Sequence, residues 1–123
     1  MSEASLQGFL ESVQLDNTPL ISPIRFAERL AMEQQELARF AGVHRNTLAR
    51  SPGAAPLQAY LRESMRVLAA ATDLAGDADK AAYWYRNQPL APFAYKTPSQ
   101  VVSEGKAEDV IRYLESLDAG AAG

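Results

Sequence analysis

Apolar residues recur every three or four positions in short runs separated by proline and glycine, and that rhythm is helical. Ser22-Pro23 supplies a cap followed by proline at the first helical position. Phe26, Ala27 and Leu30 then form a stripe ending near Ala31. From Glu33 the set Leu37, Ala38, Phe40 and Ala41 repeats at helical spacing until Gly42 stops it. The segment "HRNTLARS" offers Leu48 and Ala49 as inward positions before Ser51-Pro52-Gly53 breaks the chain. Three short helices are predicted.

Beyond "SPGAAP", Pro56 is predicted to open a long helix that Gly76 closes. Leu57, Tyr60, Leu61, Met65, Leu68, Ala69 and Leu74 lie close to one of its faces. A further helix starts at Asp77, carries Ala81, Ala82, Trp84 and Tyr85, and ends before Pro89; "PLAPFAY" is a proline-ruled loop. Thr97-Pro98 repeats the cap-plus-proline start, and Gly105 ends that element within two turns. The last helix begins at Lys106, sets Val110, Ile111, Leu114 and Leu117 at core spacing, and closes at Ala119-Gly120. No alternating β-branched run, hairpin dipeptide or internal repeat occurs, so the expected fold is all-α.

Composition narrows the architecture. At 123 residues and 47% apolar content, the chain suffices for one continuous core, or two small helical units sharing a seam. The absence of cysteine removes disulfides and thiolate chemistry, and "MSEASLQGFLES" lacks the basic start and long apolar run of a secretion signal. The longest strongly apolar run, "VLAAATDLAG", is too short for a membrane span and is broken by Asp73. A soluble, cytoplasmic chain with no membrane partner is expected.

The net charge of −3 conceals a pattern. Residues 1–22 carry three acids and no Lys or Arg, and residues 67–123 are again net −3. Between them, residues 23–66 hold seven arginines against four glutamates, net +3. A local basic face matters more for DNA than the global sum, because phosphate neutralisation supplies most nonspecific affinity. An ordinary solvated surface would explain the same arithmetic.

The stretch "QQELARFAGVHRNTLAR" sits in this basic zone and has the form of a helix-turn-helix. Gly42 suits the turn, Ala38 is small where the helices approach, and Leu37, Val43 and Leu48 would hold the crossing angle. Its polar tips suit a DNA reader. Arg45 or Arg50 could fork onto guanine, Asn46 could pair with adenine, and Thr47 could meet a phosphate or a thymine methyl. His44 also faces out, and Gln34 and Gln35 could donate to phosphates from the bracing helix.

Enzyme readings lack a constellation. His44 is the only histidine, so neither a metal cluster nor a Ser-His nucleophile assembles around it. "SEGKAE" contains Gly-Lys without the preceding glycine or strand of a phosphate loop, and Glu108 and Asp109 point to different helix faces. Neither catalysis nor a cofactor is expected. Tyr83, Trp84, Tyr85, Phe93 and Tyr95 lie within 13 positions; Trp84 is expected in the core beneath the final helix, and some of the tyrosines at a partner.

The second half resembles a known family. "AAYWYRNQPL" followed by "FAYKTPSQVVSEGKAEDVIRYLESLDAGAAG" is similar to the toxin-binding domain of Xre/MbcA/ParS-type antitoxins, through Trp84, Asn87, Pro89, Phe93, Lys96, Thr97, Pro98, Val101, Val102, Gly105, Val110, Tyr113, Leu114 and Leu117. Gln88 intervenes between Asn87 and Pro89, and Val102 stands where leucine is frequent. The resemblance covers about residues 57–123, and the helix-turn-helix matches the family's usual N-terminal half.

The resemblance implies a dimeric antitoxin with a DNA-binding region over residues 1–54 and a toxin-binding domain over 55–123. It also implies a cognate toxin, most often the RES type that consumes NAD, which the C-terminal region plugs while the antitoxin represses its own operon by binding operator DNA. Residues expected to meet the toxin are Tyr85, Tyr95, Lys96, Asp109, Arg112, Tyr113, Glu115, Ser116 and Asp118, with the tail Ala119, Gly120, Ala121, Ala122 and Gly123. That tail has no bulky side chain and could thread a narrow pocket, its carboxylate at Gly123 pairing with an arginine, while Asp109, Glu115 and Asp118 steer the helix to a basic rim. A frayed end is the alternative for the tail. For the whole chain it is a stand-alone helix-turn-helix regulator with no toxin partner.

Overall fold

The computed structural model describes residues 5–122, with side chains through Ala119. Among the described residues eight α-helices follow in order: α1 Leu6–Val13, α2 Pro23–Arg29, α3 Gln34–Ala41, α4 Thr47–Arg50, α5 Ala55–Ala75, α6 Ala78–Asn87, α7 Pro98–Ser103 and α8 Ala107–Ala122. Among the described residues β-pairing is confined to two isolated antiparallel bridges, Gln14 with Ile21 and Leu90 with Lys96. The all-α expectation holds.

Local chemistry sets most helix ends. Ser22 and Thr97 each cap a helix with proline in its first turn, Ser22 accepting from the Arg25 N–H and Thr97 from that of Gln100. Gln100 returns the bond to the Thr97 N–H at 3.0 Å, which completes a capping box. Asp77 starts α6 by accepting from the N–H groups of Asp79 and Lys80. Replacing Thr97 with alanine is therefore expected to cost about 1 kcal/mol, read as a lower midpoint in urea melts at unchanged slope. An unchanged midpoint would show the box to be idle.

Helix α1 was not expected from the periodicity above. Its Ser5 hydroxyl accepts from the Gly8 N–H at 3.0 Å, and Phe9 and Val13, four apart, are buried. The bridge from Gln14 to Ile21 then folds the chain back, so that α1 lies on α2.

The long α5 organises everything else. Its buried positions Leu57, Leu61, Ser64, Leu68 and Ala71 follow the alternating four-and-three spacing of a single helical stripe. One part of the helix meets α3, while α6 and α8 cover most of the remainder. Near its start the Gln58 amide donates to the carbonyls of Ile21 and Pro52 and accepts from the Ile21 N–H, which pins the loop before α2 to the long helix.

Several expected inward positions are corrected. Leu74, placed on the core face of α5, is 40% exposed and lies in the last turn of that helix, two residues before its Gly76 cap; Met65 and Ala69 are half-buried. Ala49 is exposed, since α4 is a single turn that buries only Leu48. Leu117 is 40% exposed. In α6 it is Tyr85 that is fully buried, whereas Trp84 is half-buried at the edge of the core. Helix α8 runs past the expected stop at Ala119-Gly120 to Ala122.

Candidate DNA- and toxin-binding surfaces

The corner between α3 and α4 is built around Gly42. Its φ of +71° is left-handed, a conformation that would cost another residue roughly 1 kcal/mol, and it lets the Val43 N–H donate to the Ala38 carbonyl at 3.0 Å. Leu37, Ala38 and Leu48 are buried beneath the turn, and Val43 packs partly against them. The chain then tightens into i→i+3 bonds, Thr47 N–H to the His44 carbonyl and Leu48 N–H to that of Arg45. These bonds present residues 44–46 outward.

Gln35, His44, Arg45, Asn46 and Arg50 are exposed on this corner, while Gln34 and Thr47 are half-exposed. His44 Nδ1 accepts from the Asn46 N–H at 3.1 Å, which commits that edge of the ring to the turn. The ion pairs sharpen the charge pattern. Arg25 forks onto Asp16, Arg29 holds Asp79, Arg39 faces Glu36, and Arg66 joins Glu63 and Glu108 at 2.7 Å each. The hydrogen bond from Arg25 holds the Asp16 carboxyl below the usual carboxylate range, and that from Arg66 does the same for Glu108. Arg45 and Arg50 have no ion-pair partner among the described residues, so the excess positive charge of this half is displayed in part where the polar tips are.

The other half carries two features. Ala94 and Tyr95 are consecutive residues with positive φ, +58° and +63°, which costs roughly 1 kcal/mol apiece and turns the Tyr95 ring out to 72% exposure. Tyr83 is as exposed, at 73%. Of the charged residues expected at a toxin, Lys96 pairs with Glu104 at 2.7 Å, and Arg112 with Asp109 at 3.4 Å. Glu115 and Asp118 have no ion-pair partner among the described residues. The Ser116 hydroxyl is turned onto its own helix at the Tyr113 carbonyl, and the half-buried Tyr113 ring meets Phe93 edge-on at 6.1 Å.

Tyr85 is a correction. Expected to reach a toxin, it has no exposed surface, and its hydroxyl bonds to Ser64 at 2.5 Å and donates to Tyr60 at 3.3 Å. Ala119 is exposed on α8; the surroundings of Gly120, the side chains of Ala121 and Ala122, and all of Gly123 lie outside what is described.

A groove that periodicity did not reveal lies between the end of α5, α6 and α8. Its apolar slot, about 110 Å³, is walled by Leu74, Trp84, Leu114 and Leu117 over a floor of small residues. An adjoining recess of about 210 Å³ shares Leu74 and Leu114 and is edged by Asp73, Glu115 and Asp118. The exposed Leu74 and the buried Leu114 join the two. Among the described residues no group of three His, Asp or Glu side chains is placed to hold a metal ion, and no helix is long and apolar enough to cross a membrane.

Two family models match the chain. The antitoxin Xre-like helix-turn-helix domain matches residues 10–70, and the C-terminal toxin-binding domain of Xre/MbcA/ParS antitoxins matches residues 70–120. No curated protein and no solved structure matches. The two models meet inside α5 and take in the α3–α4 corner on one side and the groove on the other: the chain belongs to the Xre/MbcA/ParS antitoxins, helix-turn-helix proteins of toxin–antitoxin systems.

Proposed function

We propose that this antitoxin neutralises a RES-type, NAD-degrading toxin by laying its C-terminal region over the toxin's active site, and that it represses its own operon as a homodimer in the cytoplasm. The supporting observation is the separation of unpaired charge. Among the described residues Arg45 and Arg50 have no ion-pair partner at the α3–α4 corner, and Glu115 and Asp118 have none on the last helix. Residues 1–54 carry the operator contacts: Arg45, Asn46 and Arg50 read bases, while Gln34, Gln35, His44 and Thr47 hold backbone. Residues 55–123 carry the toxin contacts, through Tyr95, Asp109, Arg112, Tyr113, Glu115, Asp118 and the tail from Ala119 to Gly123.

The distinguishing experiment removes Gly120 to Gly123. Co-expressed with the toxin of its operon, the truncated chain is expected to fail to rescue growth, while its purified form shifts the promoter fragment as the full chain does. Full rescue would overturn the covering role of the tail. Rescue that is never needed, because the neighbouring protein is harmless, would favour the stand-alone regulator.

A further inference from the structure

We propose that the groove between α5, α6 and α8 is the seat of a basic segment of the toxin anchored by an apolar side chain, a contact separate from the tail; this rests on the toxin–antitoxin reading above. The argument starts from exposure. Leu74 and Leu117 are each 40% exposed, and they line one slot together with the half-buried Trp84. An apolar slot with an aromatic wall is the usual seat of an interface anchor, where a single inserted side chain supplies much of the binding energy.

Charge decides what kind of anchor enters. Glu104, Glu108 and Asp109 are occupied by Lys96, Arg66 and Arg112. Asp73, Glu115 and Asp118 have no ion-pair partner among the described residues, and all three edge the recess beside the slot. Three unpaired carboxylates next to a leucine-lined slot call for Lys or Arg flanking a Leu, Met or Phe. DNA is repelled by the same carboxylates. A second copy packed here across a two-fold axis would set Asp73, Glu115 and Asp118 against their own equivalents, which like-charge repulsion opposes. Every residue that lines slot and recess lies within 70–120, the span matched by the toxin-binding domain.

The chain has one tryptophan, and it forms a wall of the slot. Labelled as 5-fluorotryptophan, Trp84 of the full chain reports on the groove as a single fluorine NMR line. Adding the unlabelled toxin purified from the same operon is expected to shift that line. The double variant Leu74→Glu with Leu117→Glu is expected to bind the toxin at least about tenfold more weakly, with operator binding kept. Glu115→Lys with Asp118→Lys, at exposed positions that leave the core intact, is expected to weaken binding as well and to flatten its dependence on salt. An unmoved line with wild-type toxin affinity in both variants overturns the groove but leaves the antitoxin reading standing. Loss of self-association in the leucine variant with toxin affinity unchanged overturns it in favour of a second copy. A wild-type chain that binds no toxin brings down the underlying reading, and the groove with it.

Discussion

Truncating Tyr85 to alanine is expected to cost about 3–5 kcal/mol, enough to consume a large part of the 5–15 kcal/mol (about) typical of a small domain. The ring has no exposed surface and lies where α5 and α6 meet, so its removal leaves a cavity that neither helix can close without moving. Its hydroxyl is the middle of a directed chain. Tyr85 donates to Tyr60, which donates to the Ser99 carbonyl at 3.1 Å, leaving Ser64 to donate to Tyr85. Each hydroxyl spends its one proton, and three helices are joined.

Tyr85→Phe keeps the ring but strands the Ser64 hydroxyl, at an expected cost of about 1–2 kcal/mol. Urea melts of the two variants separate packing from hydrogen bonding; equal losses would mean that the ring contributes nothing beyond its hydroxyl. Burial also pushes Tyr60 up to about 12, and Tyr85 well above its ordinary value of 10.0. Because the folded chain favours the neutral phenols, their contribution is full below pH 10 and falls as pH rises from there toward 12. Tyr85→Phe is expected to shallow that alkaline decline.

The second large effect concerns DNA. Replacing both Arg45 and Arg50 with alanine is expected to weaken operator binding roughly 30-fold or more at every salt concentration and to erode the preference for the operator over unrelated DNA. Folding should be untouched, because both side chains are exposed and neither has an ion-pair partner among the described residues. Arg66→Ala is the contrast, since that charge is already occupied by Glu63 and Glu108. Fluorescence anisotropy on the promoter fragment at several salt concentrations makes the comparison. If the arginine pair and Arg66→Ala give the same small change, the α3–α4 corner does not hold the operator.

What was legible in the sequence was local. Helix starts at Ser22, Asp77 and Thr97, and stops at Gly42, Gly76 and Gly105, depend on a side chain reaching two or three residues along or on a left-handed backbone, and both are set within a few positions. Helix α1 carries the same kind of signal, Ser5 ahead of Leu6, Phe9, Leu10 and Val13, within a segment whose charges are all acidic. Which residues face inward at an element's margin was less legible. Leu74, Ala49 and Trp84 all have the chemistry of a core, and their exposure depends on how elements distant in sequence pack around them.

The candidate sites divide in the same way. The polar tips after Gly42 were readable from spacing, because a turn of fixed length leaves them no other side. Which arginines carry free charge was not, because Arg29 with Asp79 and Arg66 with Glu108 pair across distances in sequence that no motif encodes. The groove escaped for a related reason, since its walls come from three helices.

Helix α5 serves as a shared beam. It packs on α3 toward the α3–α4 corner, its last turns line the groove, and the two family spans meet at residue 70 in its interior. A chimera that grafts a foreign operator-reading head onto this body must therefore be spliced in the Ser51–Ala54 connection and carry a head shaped to Leu57 and Leu61, or else divide a continuous rod and strip both fragments of their common support. Exchange of promoters between such systems is constrained by carpentry as much as by base recognition.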